Sequence, residues 1–217
     1  MVDVACCPPN VAKLLGLLPS LVFSTECSTI AIHLYLGSTI TTNIEGNEAV
    51  VKIDTNFPWE GSVKLKIQSQ SAIMLAVRIP SWAAKGYTSS MQCQVQDGYL
   101  YLSCNLGSVD LYFSTTPRFA YAHRSTRKDE AAVMRGPLVY CCESIDNNLD
   151  LETTYVRAAD IEETARSEIS GVKGVLMLAL HGKVKSVRDF GEAIYSDEPP
   201  KWNQEASRSF FCLIFSA

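Results

Sequence analysis

Charge is what this chain is short of. Only 19% of its 217 residues are Asp, Glu, Lys or Arg, where an ordinary soluble domain has about 25%. The charges nearly cancel, 19 basic against 23 acidic for a net −4. A protein that grips a phosphate backbone needs a basic surface, so no nucleic-acid partner is expected. Long apolar runs are missing as well. The longest, residues 11–18 and 172–180, each contain a lysine and fall far short of the roughly 20 residues of a membrane helix, so no membrane partner is expected either. There is no internal repeat and no low-complexity segment. The opening residues Met1-Val2-Asp3-Val4-Ala5 carry neither the basic start nor the apolar stretch of a secretory leader, which makes a cytoplasmic location the expectation.

What is present is a core. Hydrophobic residues make up 47% of the chain, enough to exclude wholesale disorder. Eight cysteines are the other excess, and four of them stand in the vicinal pairs Cys6-Cys7 and Cys141-Cys142. Neighbouring residues rarely bridge to each other because the small ring strains the disulfide. Free thiols in a reducing compartment are the expectation, with pairing among Cys27, Cys93, Cys104 and Cys212 left open.

The hydrophobic period changes near residue 28. Before it, Val11, Leu14, Leu15 and Leu18 fall at i, i+3, i+4 and i+7 after a good N-cap, Asn10, and ahead of Pro19. That spacing reads as one helix of about two turns, stopped by the proline. Too short to stand alone, it should dock on something. After it the period is two: Ile30, Ile32 and Leu34; Val63, Leu65 and Ile67; Ile73, Leu75 and Val77; then 99–102 and 109–113. Asp97-Gly98 marks a hairpin, since a type I′ turn needs positive φ at both central residues. Short strands at this spacing point to antiparallel sandwiches. The polar stretch 124–130 ends the first. A second β-rich segment begins at 131, has a polar stretch over 153–170, and closes with 172–180 and 209–215. The fold class is therefore mainly β: a short helix, then two antiparallel β-sandwiches.

Chemistry is harder to place. Cys6-Cys7 ahead of a helix reads either as two buried small side chains or as thiolates whose ionisation the helix N-terminus favours. Two cysteines supply at most two of the four ligands of a closed zinc site. Cys141-Cys142 lies in an apolar strand, where alternate side chains point apart, so burial is expected there. His33, His123 and His181 form no nucleophile–base set by spacing and read as structural. Asp54, Glu60, Asp110, Glu143 and Asp146 are scattered, and no facing pair of carboxylates for sugar hydrolysis stands out. Trp59, Trp82 and the tyrosines read as core or edge fillers, or as a platform for stacking a sugar.

Four strings together resemble one family. They are Ala5-Cys6-Cys7-Pro8-Pro9-Asn10 with the helix behind it; Asn56-Phe57-Pro58-Trp59-Glu60-Gly61; Val77-Arg78-Ile79-Pro80-Ser81-Trp82; and Met134-Arg135-Gly136-Pro137-Leu138-Val139-Tyr140-Cys141-Cys142-Glu143 followed by Asp146-Asn147. In order and spacing they resemble the C-terminal part of glycoside hydrolase family 127, the β-L-arabinofuranosidase-like enzymes, over about residues 4–148. The resemblance implies the end of an (α/α)6 catalytic barrel at 1–21, a first β-sandwich at 22–127 and a second at 128–217. It implies a retaining hydrolase of arabinofuranoside-containing glycans, with Cys6 as nucleophile and zinc as cofactor, held by Cys6 and Cys7. The acid/base glutamate and the remaining zinc ligands of the family lie upstream of anything in this sequence, so the chain alone is expected to be inactive. The family's R-x-W-x-x-G-D turn is also altered here, to Ser103-Cys104-Asn105-Leu106-Gly107-Ser108. Two other readings stay open: a non-catalytic glycan-binding module using Trp59 or Trp82, and a thiolate metal protein using Cys6 and Cys7.

Overall fold

In a computed structural model, the described residues are 7–126, 131–147, 154–165, 168–169, 172–173, 176–186 and 206–214. They form two compact units, Met1–Thr115 and Thr116–Ala217. The first opens with helix α1, Cys7–Val22, which is longer than its apolar spacing predicts. Pro8 and Pro9 fit its first turn, where an N–H would find no partner anyway. Pro19 does not stop it but sits inside it, and the Ser20 hydroxyl donates to the Leu17 carbonyl one turn back at 2.8 Å. Among the residues of α1 only Val22 is buried. Val11, Leu14, Leu15, Leu17 and Leu21 are 44–60% exposed.

Strands β1 (Phe23–Glu26), β2 (Thr29–Ile32), β3 (Ser38–Ile44), β4 (Asn47–Thr55), β5 (Ser62–Arg78), β6 (Tyr87–Ser89), β7 (Gln94–Gln96) and β8 (Tyr99–Phe113) follow in one sheet. The four period-two runs at 63–67, 73–77, 99–102 and 109–113 are thus two long strands rather than four short ones. They pair antiparallel along their length, with a break where Gln68 faces Leu106 but Ile73 faces Cys104. Five steps on β5 answer two on β8 there, so β5 bulges and the pair bends. The family-like turn at 103–108 is accordingly a bent stretch of continuous strand, with Gly107 at φ +130°. Before the bend Leu100 and Leu102 point inward; after it Val109, Leu111 and Phe113 do, all at most 3% exposed.

The bend turns one sheet into two halves around one core. The first half of β5 lies between β4 and β8, and its second half between β2 and β8. Ile30, Ile32, Ile40, Val51, Leu65, Leu75, Leu102 and Phe113 belong to a single buried cluster drawn from both halves. Each such side chain is worth roughly 1.5–3 kcal/mol of burial. One pairing departs from the all-antiparallel expectation: β2 runs parallel to β5. The hairpin of β3 and β4 intervenes in sequence and supplies the crossover a parallel pair requires. The Asp97-Gly98 turn forms as read, with φ of +49° and +79°.

The second unit contains β9 (Pro117–Tyr121), β10 (Ala131–Arg135), β11 (Leu138–Cys142), the one-turn α2 (Ser144–Asn147), β12 (Thr154–Ala165), the small hairpin β13 (Glu168–Ile169) and β14 (Val172–Lys173), β15 (Leu176–Ser186) and β16 (Ala206–Ile214). The larger sheet has the order β12-β15-β16-β11-β10-β9. Because β9 pairs with β10, residues 117–121 stand in this sheet, ahead of the 127/128 boundary read from the polar stretch. Val133, Tyr140, Leu178 and Leu180 form one buried cluster, against which Ile161 packs. Arg135, 8% exposed, pairs there with Glu163 at 3.2 Å. The Tyr140 hydroxyl is buried with no hydrogen-bond partner among the described residues; burial pushes its pKa up, with Arg135 opposing and Glu163 adding to the shift.

One cysteine expectation is corrected. Cys142 is disulfide-bonded, not a free thiol; its strand register sets it across from Cys212. Cys27, Cys93 and Cys104 are free.

Candidate active site

Cys6, the expected nucleophile, lies outside the described residues. Cys7 is the first residue of α1 and is exposed. Cys7, Pro8, Pro9 and Asn10 of the Cys-Cys-Pro-Pro-Asn string therefore form the first turn of that helix. No group of three or more His, Cys, Asp or Glu able to hold a metal occurs among the described residues. The described side chains thus do not assemble a zinc site; Cys7 is the one described residue of the expected ligand pair.

The helix is tied to the β-unit at its C-terminal end. The Val22 carbonyl accepts from the backbone N–H of His33 at 2.8 Å and of Leu34 at 3.3 Å. The His33 ring then bonds Ser24 Oγ through Nε2 at 2.8 Å and Tyr99 Oη through Nδ1 at 2.9 Å. One side chain thereby joins β1, the residue after β2, and β8. His33 is a structural tie, as a lone histidine was read to be. His123 is a local one, its Nδ1 bonded to Ser125 Oγ at 2.8 Å. The side chain of His181 lies outside the described residues.

Two of the family-like strings meet in space. Phe57, from the Asn56–Gly61 loop, stacks on Trp82 at a centroid distance of 6.0 Å and 24° between planes. Tyr35 packs on Phe57 at 5.5 Å and on Phe113 at 5.0 Å. Its hydroxyl donates to the Arg78 carbonyl, and burial pushes its pKa far up. Gly61 is required here because the Phe113 carbonyl oxygen would lie 1.8 Å from any added Cβ, while Phe113 N–H donates to Gly61 O at 2.9 Å. Trp82 is half-buried and packs against the core cluster. The sequence reading missed Tyr35, which packs on Phe57, and Phe113, which packs on Tyr35, because these contacts join residues far apart in the chain.

The scattered acids fare differently. Asp54, Glu60 and Asp110 all line one open cleft of about 560 Å3 on the first unit, together with Lys64 and Tyr112. Lys64 Nζ lies 3.3 Å from Asp110 Oδ1, and Lys66 Nζ lies 4.0 Å from Asp54 Oδ2. Alternation along β5 and β8 could have put Lys64 and Asp110 on the outer face, but only the register joins them. Glu143 accepts from Asn147 through its carbonyl, and the side chain of Asp146 lies outside the described residues. No helix among the described residues is long and apolar enough to cross a membrane.

Comparison with known proteins gives the same family twice. Residues 29–110 match the profile described as β-L-arabinofuranosidase, GH127 middle domain. Residues 117–188 match the glycoside hydrolase family 127 C-terminal domain. A non-reducing end β-L-arabinofuranosidase of Bifidobacterium longum subsp. longum is 30% identical over 164 residues, which are 68% of this chain and 24% of that protein. The solved GH127 β-L-arabinofuranosidase of Geobacillus stearothermophilus T6 superposes with a TM-score of 0.81 and 29% identity, covering 97% of this chain and 34% of that one. A further solved GH127 β-arabinofuranosidase shares the fold at TM-score 0.74 and 23% identity, over 97% of this chain and 36% of its own. The chain spans about a quarter to a third of the length of these relatives. It belongs to glycoside hydrolase family 127, of which it carries the C-terminal portion.

Proposed function

We propose that this chain is the C-terminal part of a retaining glycoside hydrolase that releases β-L-arabinofuranose, with Cys6 as the nucleophile. The observation that carries the reading is the match over both β-domains, with Cys6-Cys7-Pro8-Pro9-Asn10 standing directly before them. The exposed apolar face of α1 supports it. Five large apolar side chains turned to solvent on a helix tied to the β-unit at its C-terminal end suit the last helix of a helical domain whose other members would cover them. Cys6 and Cys7 would then face that domain, which would also bring the further ligands of a zinc site.

The nucleophilic step follows from thiolate chemistry. The Cys6 sulfur attacks the anomeric carbon, a C–S bond forms and the glycosidic C–O bond breaks. The leaving oxygen takes a proton from a general acid. Water then displaces the sulfur from the opposite direction, so two inversions retain the anomeric configuration. In this reading the proton donor comes from the helical domain, and the chain by itself does not turn over.

In a protein that joins this chain to a family 127 helical domain, Cys6→Ser removes turnover of a chromogenic β-L-arabinofuranoside by 1,000-fold or more, on the order of the loss of a nucleophile. Mass spectrometry of the unaltered protein under turnover finds an arabinosyl adduct on the peptide containing Cys6. Full activity in the serine variant overturns the assignment.

A further inference from the structure

The 560 Å3 cleft is not part of the site built around Cys6, and its construction is regular. Inward positions on β4, β5 and β8 are Val51 and Ile53, Val63 and Leu65, and Val109 and Leu111. Their neighbours therefore face outward and form cross-strand rows. One row is Asp54, Lys64 and Asp110; the next is Ser62, Tyr112 and Thr88. These rows are the floor. The Asn56 and Glu60 end of the Asn56–Gly61 loop stands at one wall and Ser89-Ser90 at the other. Both walls are fixed. The Thr55 hydroxyl donates to Ser62 O at 2.7 Å and accepts from Phe57 N–H at 3.0 Å. Ser90 N–H donates to Asp110 O at 2.9 Å, and Ser90 Oγ accepts from Asp110 N–H at 2.9 Å.

We propose that this cleft binds a neutral oligosaccharide. Tyr112, 47% exposed in the floor, offers a ring face for the C–H side of a sugar. Asp54, Glu60 and Asp110 accept hydrogen bonds from hydroxyls, and Lys64 donates. Donors and acceptors recur about every 4.8 Å from strand to strand, a spacing that suits successive hydroxyls of a sugar chain laid across them. The volume lies within the roughly 300–1,000 Å3 of ligand sites and exceeds one sugar ring. Other ligand classes fit less well. Three carboxylates against one lysine in the lining repel polyanions, which excludes nucleic acid and phosphorylated ligands. The carboxylates are not grouped as a metal site among the described residues.

Titration of the chain with an arabinose tetrasaccharide, followed by backbone amide NMR, tests this. The choice of arabinose rests on the proposed function; a xylose tetrasaccharide and a glucose tetrasaccharide form parallel arms. Saturable shifts are expected at Lys64, Asp110, Tyr112 and Ser90, with Tyr112→Ala weakening binding about tenfold, the scale of one lost stacked ring, and Asp110→Asn weakening it less. Thermal melts check that both variants fold; if Tyr112→Ala does not, the shift map of the unaltered chain decides. Binding in the xylose or glucose arm alone supports the cleft while counting against arabinose as the sugar, and the Cys6→Ser assay judges the catalytic reading separately. Three results overturn the proposal: no shifts in any arm at about 10 mM sugar, where even a weak millimolar site would fill; shifts elsewhere on the unit; or binding indifferent to both variants.

Discussion

Leu14 and Leu100 are the same residue with opposite surroundings. Leu100, on β8, is 0% exposed inside a cluster that both halves of the bent sheet share. Leu14, on α1, is 53% exposed together with four other large apolar residues of that helix. The first β-unit closes its own core, and the helix contributes little more than Val22 to it. What separates them is completeness: the sheet finds its apolar partners within 1–115, whereas the helix carries an amphipathic face with nothing among the described residues set against it. That contrast is what the proposed function expects of α1, as a helix whose apolar face packs in a second core.

Mutations turn the contrast into numbers. Leu100→Ala is expected to cost about 2–5 kcal/mol, because the rigid core leaves a cavity, as read by chemical denaturation of the chain. Gly61→Ala comes next, at roughly 2–4 kcal/mol, since the added Cβ meets backbone rather than a flexible side chain. In the second unit Glu163→Gln leaves the Arg135 guanidinium buried without its 3.2 Å carboxylate. A fully buried pair would lose about 3–5 kcal/mol, but the Glu163 side chain is 38% exposed, so about 1–2 kcal/mol is expected after solvent screening. Leu14→Ala and Leu15→Ala sit at the far end, within about 0.5 kcal/mol of the unaltered chain. A loss of 2 kcal/mol at Leu14 would break the contrast, because it would give the helix a core inside this chain.

Alkaline pH sharpens it from another side. Burial raises the pKa of Tyr35 and of the Cys104 thiol in the folded first unit. Above their ordinary ranges the unfolded chain loses these protons while the folded one keeps them, so stability falls as pH rises. The decline begins near the ordinary thiol value of 9.0 and steepens past the ordinary tyrosine value of 10.0. Melts from pH 7 to 11 should show it, and Tyr35→Phe should blunt it.

Much of this architecture was legible in residue order. Period-two runs located the strands, and Asp97-Gly98 located a hairpin, because both signals are local. The bend was not legible: it arises because β5 carries three more residues than β8 between the Gln68–Leu106 and Ile73–Cys104 pairs, and nothing local distinguishes a bulge from a turn between two strands. Pro19 misled for a related reason, since a proline marks a lost hydrogen bond but the chain beyond it can stay helical when its end is anchored, as Val22 is. Of the site, a helix beside the cysteine pair was legible from the Cys-Cys-Pro-Pro-Asn string, although it starts at Cys7 rather than after Asn10. The row of Asp54, Lys64 and Asp110 was not, because it joins strands 46 positions apart, a pairing of Lys64 with Asp110 that only the register reveals.

The most direct test of the incomplete second core is an activity assay of the purified chain on a chromogenic β-L-arabinofuranoside, with and without added zinc. No release above the uncatalysed rate is expected in either case, because the proposed function assigns the general acid to a helical domain outside the two matched β-domains. Turnover by the chain alone that disappears in its Cys6→Ser variant would contradict the account.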